Sequence, residues 1–146
     1  MNIKIINVSV QIIVILILII LSSFGGNYSN NENVWIAPNE ANNAINPLKG
    51  NSSSILEGKK IFTQMCNVCH GDKGKGDGIA AAGLTPHPAN FTVERICGET
   101  DGAIYWKMTT GKAPMASYKE ILSDEKRWGL VNYIRQLQAN AKQKNN

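Results

Sequence analysis

Three runs of apolar positions organise the chain, and each carries a different pattern. Ile12 to Leu21 are aliphatic without interruption. Ile55, Gly58, Phe62, Met65 and Cys69 recur three and four apart, with Lys59, Lys60 and Gln64 on the opposite side. Trp128, Leu130, Val131, Tyr133, Ile134 and Leu137 form a broad stripe near the C-terminus. The second and third patterns predict amphipathic helices. Ser54 and Glu57 match a capping box, so the first of these helices is expected to start at Ser54. Ser123, followed by Asp124 and Glu125, opens the last one. A shorter helix is predicted from Asp101 to Thr110, with Gly111 as its stop.

Polar segments separate these runs. Residues 26–53 are rich in Asn and Ser and read as a linker, a tether or an irregular wrap. Trp35 in that segment offers a large apolar surface, which favours docking onto the domain over exposure. Residues 71–90 hold five glycines and two prolines and read as loop, with a helical turn at Ile79–Ala82. The tail from Gln138 is polar and expected to fray. No useful strand alternation and no internal repeat occur. The sequence therefore divides into residues 1–25, a linker at 26–53, an all-α domain at 54–138 and a polar tail at 139–146.

The first run has two readings. Lys4, the aliphatic stretch and the small residues Ser22, Ser23, Gly25 and Gly26 fit a cleaved secretory signal. The alternative is a retained anchor over residues 8–21, although a full span takes about 20 apolar residues. Either reading exports the domain, and its expected location is the periplasm. The formal charge is +4 over 146 residues, with no basic run. That excess suits acidic protein surfaces, not nucleic acid.

A domain of this size, with so modest a set of apolar side chains, cannot close a core unaided. Residues 66–70 read CNVCH. Cys-x-x-Cys-His is the attachment pattern of a c-type haem. Sulfurs at i and i+3 lie on one side of a turn, where each can form a thioether with a porphyrin vinyl group. The following histidine can then reach the iron. The macrocycle would supply the missing apolar body. Three other sites use such residues. A Cys66–Cys69 disulfide or a thioredoxin-like pair normally sits in a βαβ context, which is missing. A zinc site needs four ligands, and the remaining His87 and Cys97 lie far along the chain.

For the second axial position, Met115 sits in a loop after Pro114 and is the preferred donor. His87, between Pro86 and Pro88, is the rival and would give a bis-histidine site. Met108 falls on the predicted 101–110 helix and reads as core filler. A backbone carbonyl, expected from the Pro86–Pro88 segment, should accept from the His70 ring. Tyr105 and Trp106 read either as neighbours of the haem edge or as ordinary core aromatics. With His and thioether on both faces, the iron could pass electrons but not admit a substrate. The alternative is a haem-based ligand sensor or weak peroxidase in which Met115 is displaceable.

Taken in order, the helix with Gly58 and Phe62, CNVCH, the KAPM loop and the C-terminal helix with Leu130 and Tyr133 resemble a single-haem class I cytochrome c. GDKGKGDG, GLTPHPANFT and LSDEKRWGLVNYIRQL are similar to exported bacterial cytochromes of respiratory chains. The resemblance covers residues 54–138. It implies a small all-α fold wrapped around one covalently bound haem c, and electron transfer without enzymatic turnover. It assigns Cys66 and Cys69 to covalent attachment, and His70 and Met115 to the iron. It also implies that the first and last helices cross where a small residue meets an aromatic one. The implied partners are redox proteins, including those with acidic docking surfaces, or a respiratory membrane complex. Lys73, Lys75, Lys112 and Lys119 either steer such a partner or form a plain solvated surface. Cys97 reads as a buried thiol, with an intermolecular disulfide as the alternative.

Overall fold

Asn51, not Ser54, starts the first long helix in the computed structural model, which describes residues 34–144 together with Val10 and Ile13. The Asn51 side chain accepts from the Ser54 backbone N–H at 3.0 Å. Ser54 is then one turn inside the helix, and its hydroxyl donates to the Asn51 carbonyl at 2.8 Å. The expected capping box fails because an Asx cap three residues earlier captures the same free backbone donors. The signal or anchor reading of residues 1–25 lies outside the described residues, apart from Val10 and Ile13. Among the described residues no helix is long and apolar enough to cross a membrane.

The chain forms two contact units, Met1–Trp35 and Ile36–Asn146. The second contains six α-helices among the described residues: α1 (Asn39–Asn42), α2 (Ser52–Met65), α3 (Asn67–His70), α4 (Glu94–Cys97), α5 (Asp101–Thr110) and α6 (Asp124–Gln143). A 3-10 turn at Ala81–Gly83 replaces the helical turn expected at Ile79–Ala82. No strand occurs among the described residues, only an isolated bridge between Lys112 and Met115. The architecture is all-α, as expected.

The frame is the crossing of α2 and α6. A Cβ on Gly58 would stand 2.0 Å from the Gly129 carbonyl oxygen, and one on Gly129 would stand 2.8 Å from the Ser54 carbonyl. The backbones touch there, which explains a helix-interior glycine that costs about 1 kcal/mol against alanine. The close approach lets Phe62, Leu130 and Val131 bury almost completely. Phe62 meets Tyr133 edge-on at 5.3 Å. The small-residue crossing is thus glycine on glycine, with the aromatic contact formed by Phe62 and Tyr133 alongside it. Helix α5 contributes Ile104 and Met108 to the same core.

Residues 36–53, which the sequence assigns to a linker, belong to the compact unit. Asn46 is buried and donates to Asp101 at 3.0 Å and to Asn132 at 2.8 Å. Asn132 donates in turn to the Leu48 carbonyl and to the Ser54 hydroxyl. Helix α1 lies on α5 so closely that a Cβ on Gly102 would meet the Ala41 carbonyl at 2.0 Å. The expected fraying from Gln138 is also corrected. Helix α6 continues to Gln143, and Gln138 is buried, donating to the Phe91 carbonyl at 3.0 Å.

Candidate functional site

Helix α2 stops at Met65 and Cys66 links it to the single turn α3, so the CNVCH motif folds as a compact knot. The His70 amide donates to the Cys66 carbonyl at 2.8 Å, and the Cys69 amide to the same oxygen at 3.2 Å. Helix ends leave carbonyls without partners. Here the glycine-rich loop supplies them. Gly76 donates to His70, Gly78 to Cys69 and Ala80 to Val68, at 2.8, 3.1 and 2.9 Å. The loop predicted at 71–90 therefore returns onto the motif and clamps its C-terminal side.

His70 is oriented from two directions. Its Nδ1–H donates to the Ala89 carbonyl at 3.1 Å. A carbonyl only accepts, so this contact fixes the proton on Nδ1 and leaves the Nε2 lone pair available. The ring also stacks on Phe91, with centroids 4.5 Å apart. Burial holds the imidazole below its ordinary pKa, against the Ala89 carbonyl, which favours the charged form. A neutral imidazole with a free Nε2 is the ligating form. The accepting carbonyl belongs to Ala89, one residue beyond the expected Pro86–Pro88 segment.

Cys66 and Cys69 are free, half-buried thiols. Burial, reinforced by the neighbouring Cys69, pushes the Cys66 thiol up to about 12. A disulfide-exchange pair works through a depressed thiol pKa, so this environment does not suit the redox-pair reading. Among the described residues no cluster of three or more His, Cys, Asp and Glu side chains could hold a metal ion.

Met115 is half-buried against the core. A reciprocal backbone pair holds its turn, Lys112 N–H to Met115 at 3.0 Å and Met115 N–H to Lys112 at 2.9 Å. The following residues dock on α5: Ser117 Oγ donates to Thr109 at 2.6 Å and Tyr118 N–H to Met108 at 3.1 Å. Burial raises the Tyr118 phenol pKa, and so do Cys66 and Cys69. Cys66 of CNVCH and Met115 and Tyr118 of the methionine loop all pack against the same hydrophobic core. His87 is exposed, and its Nδ1–H is turned to the neighbouring Pro88 carbonyl at 3.2 Å. Met108 is buried in the core. Tyr105 stacks on Trp128 at 4.0 Å. A cavity of about 520 Å3 is lined by Asn67, Val68, Asp72, Lys73 and Ile79 among others, and by none of the four candidate donors. It is a cleft beside the site.

The family model described as cytochrome c oxidase, cbb3-type, subunit III matches residues 53–134. The chain belongs to this family. It is a c-type cytochrome. Among solved structures this cytochrome is similar to a chain of the reducing HAO-like protein complex of Kuenenia stuttgartiensis, with 35% identity and a TM-score of 0.56. The match covers 62% of this chain and 46% of that one, so the cytochrome spans under half of its neighbour. No curated protein matches the cytochrome.

Membership implies haem c, and the donors present fit it. Two thiols lie on one turn, an imidazole carries its proton on the nitrogen away from the ligating atom, and a thioether sits in a pinned turn packed against the same core. Four features escaped the sequence reading: the Ala89 acceptor, the Phe91 stack, the position of Tyr118 and the burial of Arg127. Phe91 carried a faint signal as the lone aromatic after a proline-rich loop. Arg127 carried none, because an arginine in the first turns of a helix normally faces solvent.

Proposed function

We propose that this cytochrome passes electrons through one haem c bound by Cys66 and Cys69, with His70 and Met115 as the axial ligands. Each thiol S–H would add across one vinyl C=C, sulfur and hydrogen both ending on the former vinyl carbons, so attachment needs no oxidant. Bound haem supplies a single-electron couple between Fe(II) and Fe(III). The chain supplies the rest. Ala89 holds the His70 proton on Nδ1 and raises the basicity of Nε2. The Lys112–Met115 backbone pair aims a soft thioether, which favours the reduced metal.

The His70–Ala89 contact carries this reading. A disulfide site has no use for a tautomer fixed by a carbonyl from a separate loop, and a zinc site, which would use it, lacks its further ligands among the described residues. The pinned Met115 turn favours electron transfer over the sensor or peroxidase reading, which needs a ligand that leaves. We further propose export to the periplasm, followed by service as a carrier or as a subunit of a respiratory complex, free or tethered by residues 8–21. The neighbour's membership of a redox complex supports the subunit role.

The test is spectroscopic. Protein from a host that matures c-type cytochromes should carry one haem by intact mass, retained in denaturant, and the Cys66→Ala variant should keep only one thioether link. The far-red band of sulfur-ligated ferric haem should vanish in Met115→Ala and persist in His87→Ala. Absence of the band in the wild type, with ligand binding opened by His87→Ala and not by Met115→Ala, would reassign the ligand.

A further inference from the structure

Arg127 is the buried charged side chain among the described residues, 4% exposed. Its Nη1 donates to the carbonyls of Tyr118 and Lys119, at 3.4 and 3.0 Å. Its Nη2 donates to the Tyr105 phenol oxygen at 2.9 Å and to the Asp124 carboxylate. The guanidinium carbon lies 5.2 Å from the centre of the Tyr105 ring. Nε is buried with no partner.

This is a costly placement. A desolvated guanidinium is unfavourable unless paired, and the only carboxylate it meets, on Asp124, has a side chain 77% exposed. A solvent-facing arginine at this helix position would avoid that cost. What the burial achieves is a fork that reaches from α6 to two carbonyls in the Met115 loop and, through Tyr105, to α5. Residues 116–118 have no regular structure of their own. Apart from Arg127, the residues just after Met115 are held by Ser117 on Thr109 and Tyr118 on Met108.

We propose that Arg127 is a positioning residue that fastens the Met115 loop to α5 and α6 and so keeps the thioether on the iron. The proposal rests on Met115 being the second axial ligand. Lysine cannot replace it, because an ammonium presents a point charge where a planar fork spans two carbonyls and a phenol.

The experiment compares haem-loaded wild type with Arg127→Lys, Arg127→Gln, Tyr105→Phe and Met115→Ala. In both Arg127 variants the far-red ferric band should weaken. Carbon monoxide should bind the ferrous form faster by about ten-fold or more, the factor expected when one charge-assisted hydrogen bond is lost. Amide exchange at Tyr118, Ile121 and Leu122 should quicken by a comparable factor, with the Soret band and helical content retained. Tyr105→Phe keeps the ring stack but removes one Nη2 acceptor, and should shift all three readouts the same way by less. It serves if the Arg127 variants do not fold. Wild-type carbon monoxide rates and exchange in the folded variants overturn the proposal. If Met115→Ala leaves the band and the carbon monoxide rate unchanged, the ligand assignment fails. Amide exchange then still reports whether Arg127 holds the loop.

Discussion

Gly58→Ala is the most direct probe of the frame that carries the site. In an isolated helix this substitution stabilises by about 1 kcal/mol. Here the new Cβ would meet the Gly129 oxygen at 2.0 Å, the Gly129 carbonyl carbon at 2.4 Å and the Leu130 nitrogen at 2.9 Å. All three are backbone atoms, so no side chain can swing aside. Helices α2 and α6 must separate by about 1 Å, and a gap of that size forfeits a quarter to a half of each dispersion contact. Phe62, Leu130 and Val131 pack around the crossing, at 1%, 1% and 0% exposure. Full burial of such side chains contributes about 2–3 kcal/mol each, so the separation costs about 3 kcal/mol. Net destabilisation should be about 2 kcal/mol, in line with overpacked cores. Urea unfolding of the haem-loaded protein, followed by far-UV circular dichroism, measures it as a lowered midpoint at unchanged slope. Gly129→Ala, whose nearest clash is the Ser54 oxygen at 2.8 Å, should cost less. A Gly58→Ala variant as stable as wild type, or more so, would refute the backbone contact.

Other outcomes follow from the polar contacts. Asn132→Ala removes one of the donors to the Leu48 carbonyl, which keeps the Asn51 N–H, together with the bond to the Ser54 hydroxyl and an acceptor of Asn46, and should cost about 2 kcal/mol by the same urea assay. Asn46→Ala should lose less, since its other partner, Asp101, keeps Arg135. Burial raises the Asp101 pKa, but hydrogen bonds from Arg135 and Asn46 more than reverse this and hold the carboxyl below its ordinary value. Its contribution is therefore complete above about pH 4 and is lost as pH falls through the folded value. Asp101→Asn should flatten the acid limb of the stability curve there and leave its neutral region level with pH. If Lys73, Lys75, Lys112 and Lys119, all exposed, steer an acidic redox partner, bimolecular electron exchange should slow steeply with ionic strength by stopped flow. A salt-independent rate would mark them as plain surface.

Local signals made the helices readable. The apolar stripe of α6 needs only its own residues, and Trp128, Leu130, Val131, Tyr133, Ile134 and Leu137 are all buried. Ser123 and Thr100 cap α6 and α5 through their own hydroxyls. Polar residues whose partners are remote were misread for the converse reason. Asn46 lies 86 positions from Asn132, and in an Asn-rich segment nothing distinguishes the asparagine that will be buried. Gln138 belongs by composition to a polar tail, yet the Phe91 carbonyl, 47 positions away, gives it a place inside. Composition reports what a segment can do with water and is silent on a buried acceptor elsewhere.

The same division runs through the site. CNVCH stands out in the sequence because the attachment chemistry proposed for it needs its residues adjacent. Met115 stands out in the sequence because it follows a proline in a loop between two helices, and the structure holds that turn by a backbone pair with Lys112. Neither pattern contains what makes a donor set perform. The proton on Nδ1 is fixed by Ala89, 19 residues on, through a main-chain atom that any residue would supply. The methionine loop is held partly by main-chain oxygens of Tyr118 and Lys119, again independent of side-chain identity. Backbone acceptors leave no trace in the sequence, so the residues that orient the donors are visible only once the chain is folded. Donors can thus be read from side chains, while the precision with which they are held depends on where the loops return. Substitutions in those loops should alter the potential and ligand exchange even where no donor changes.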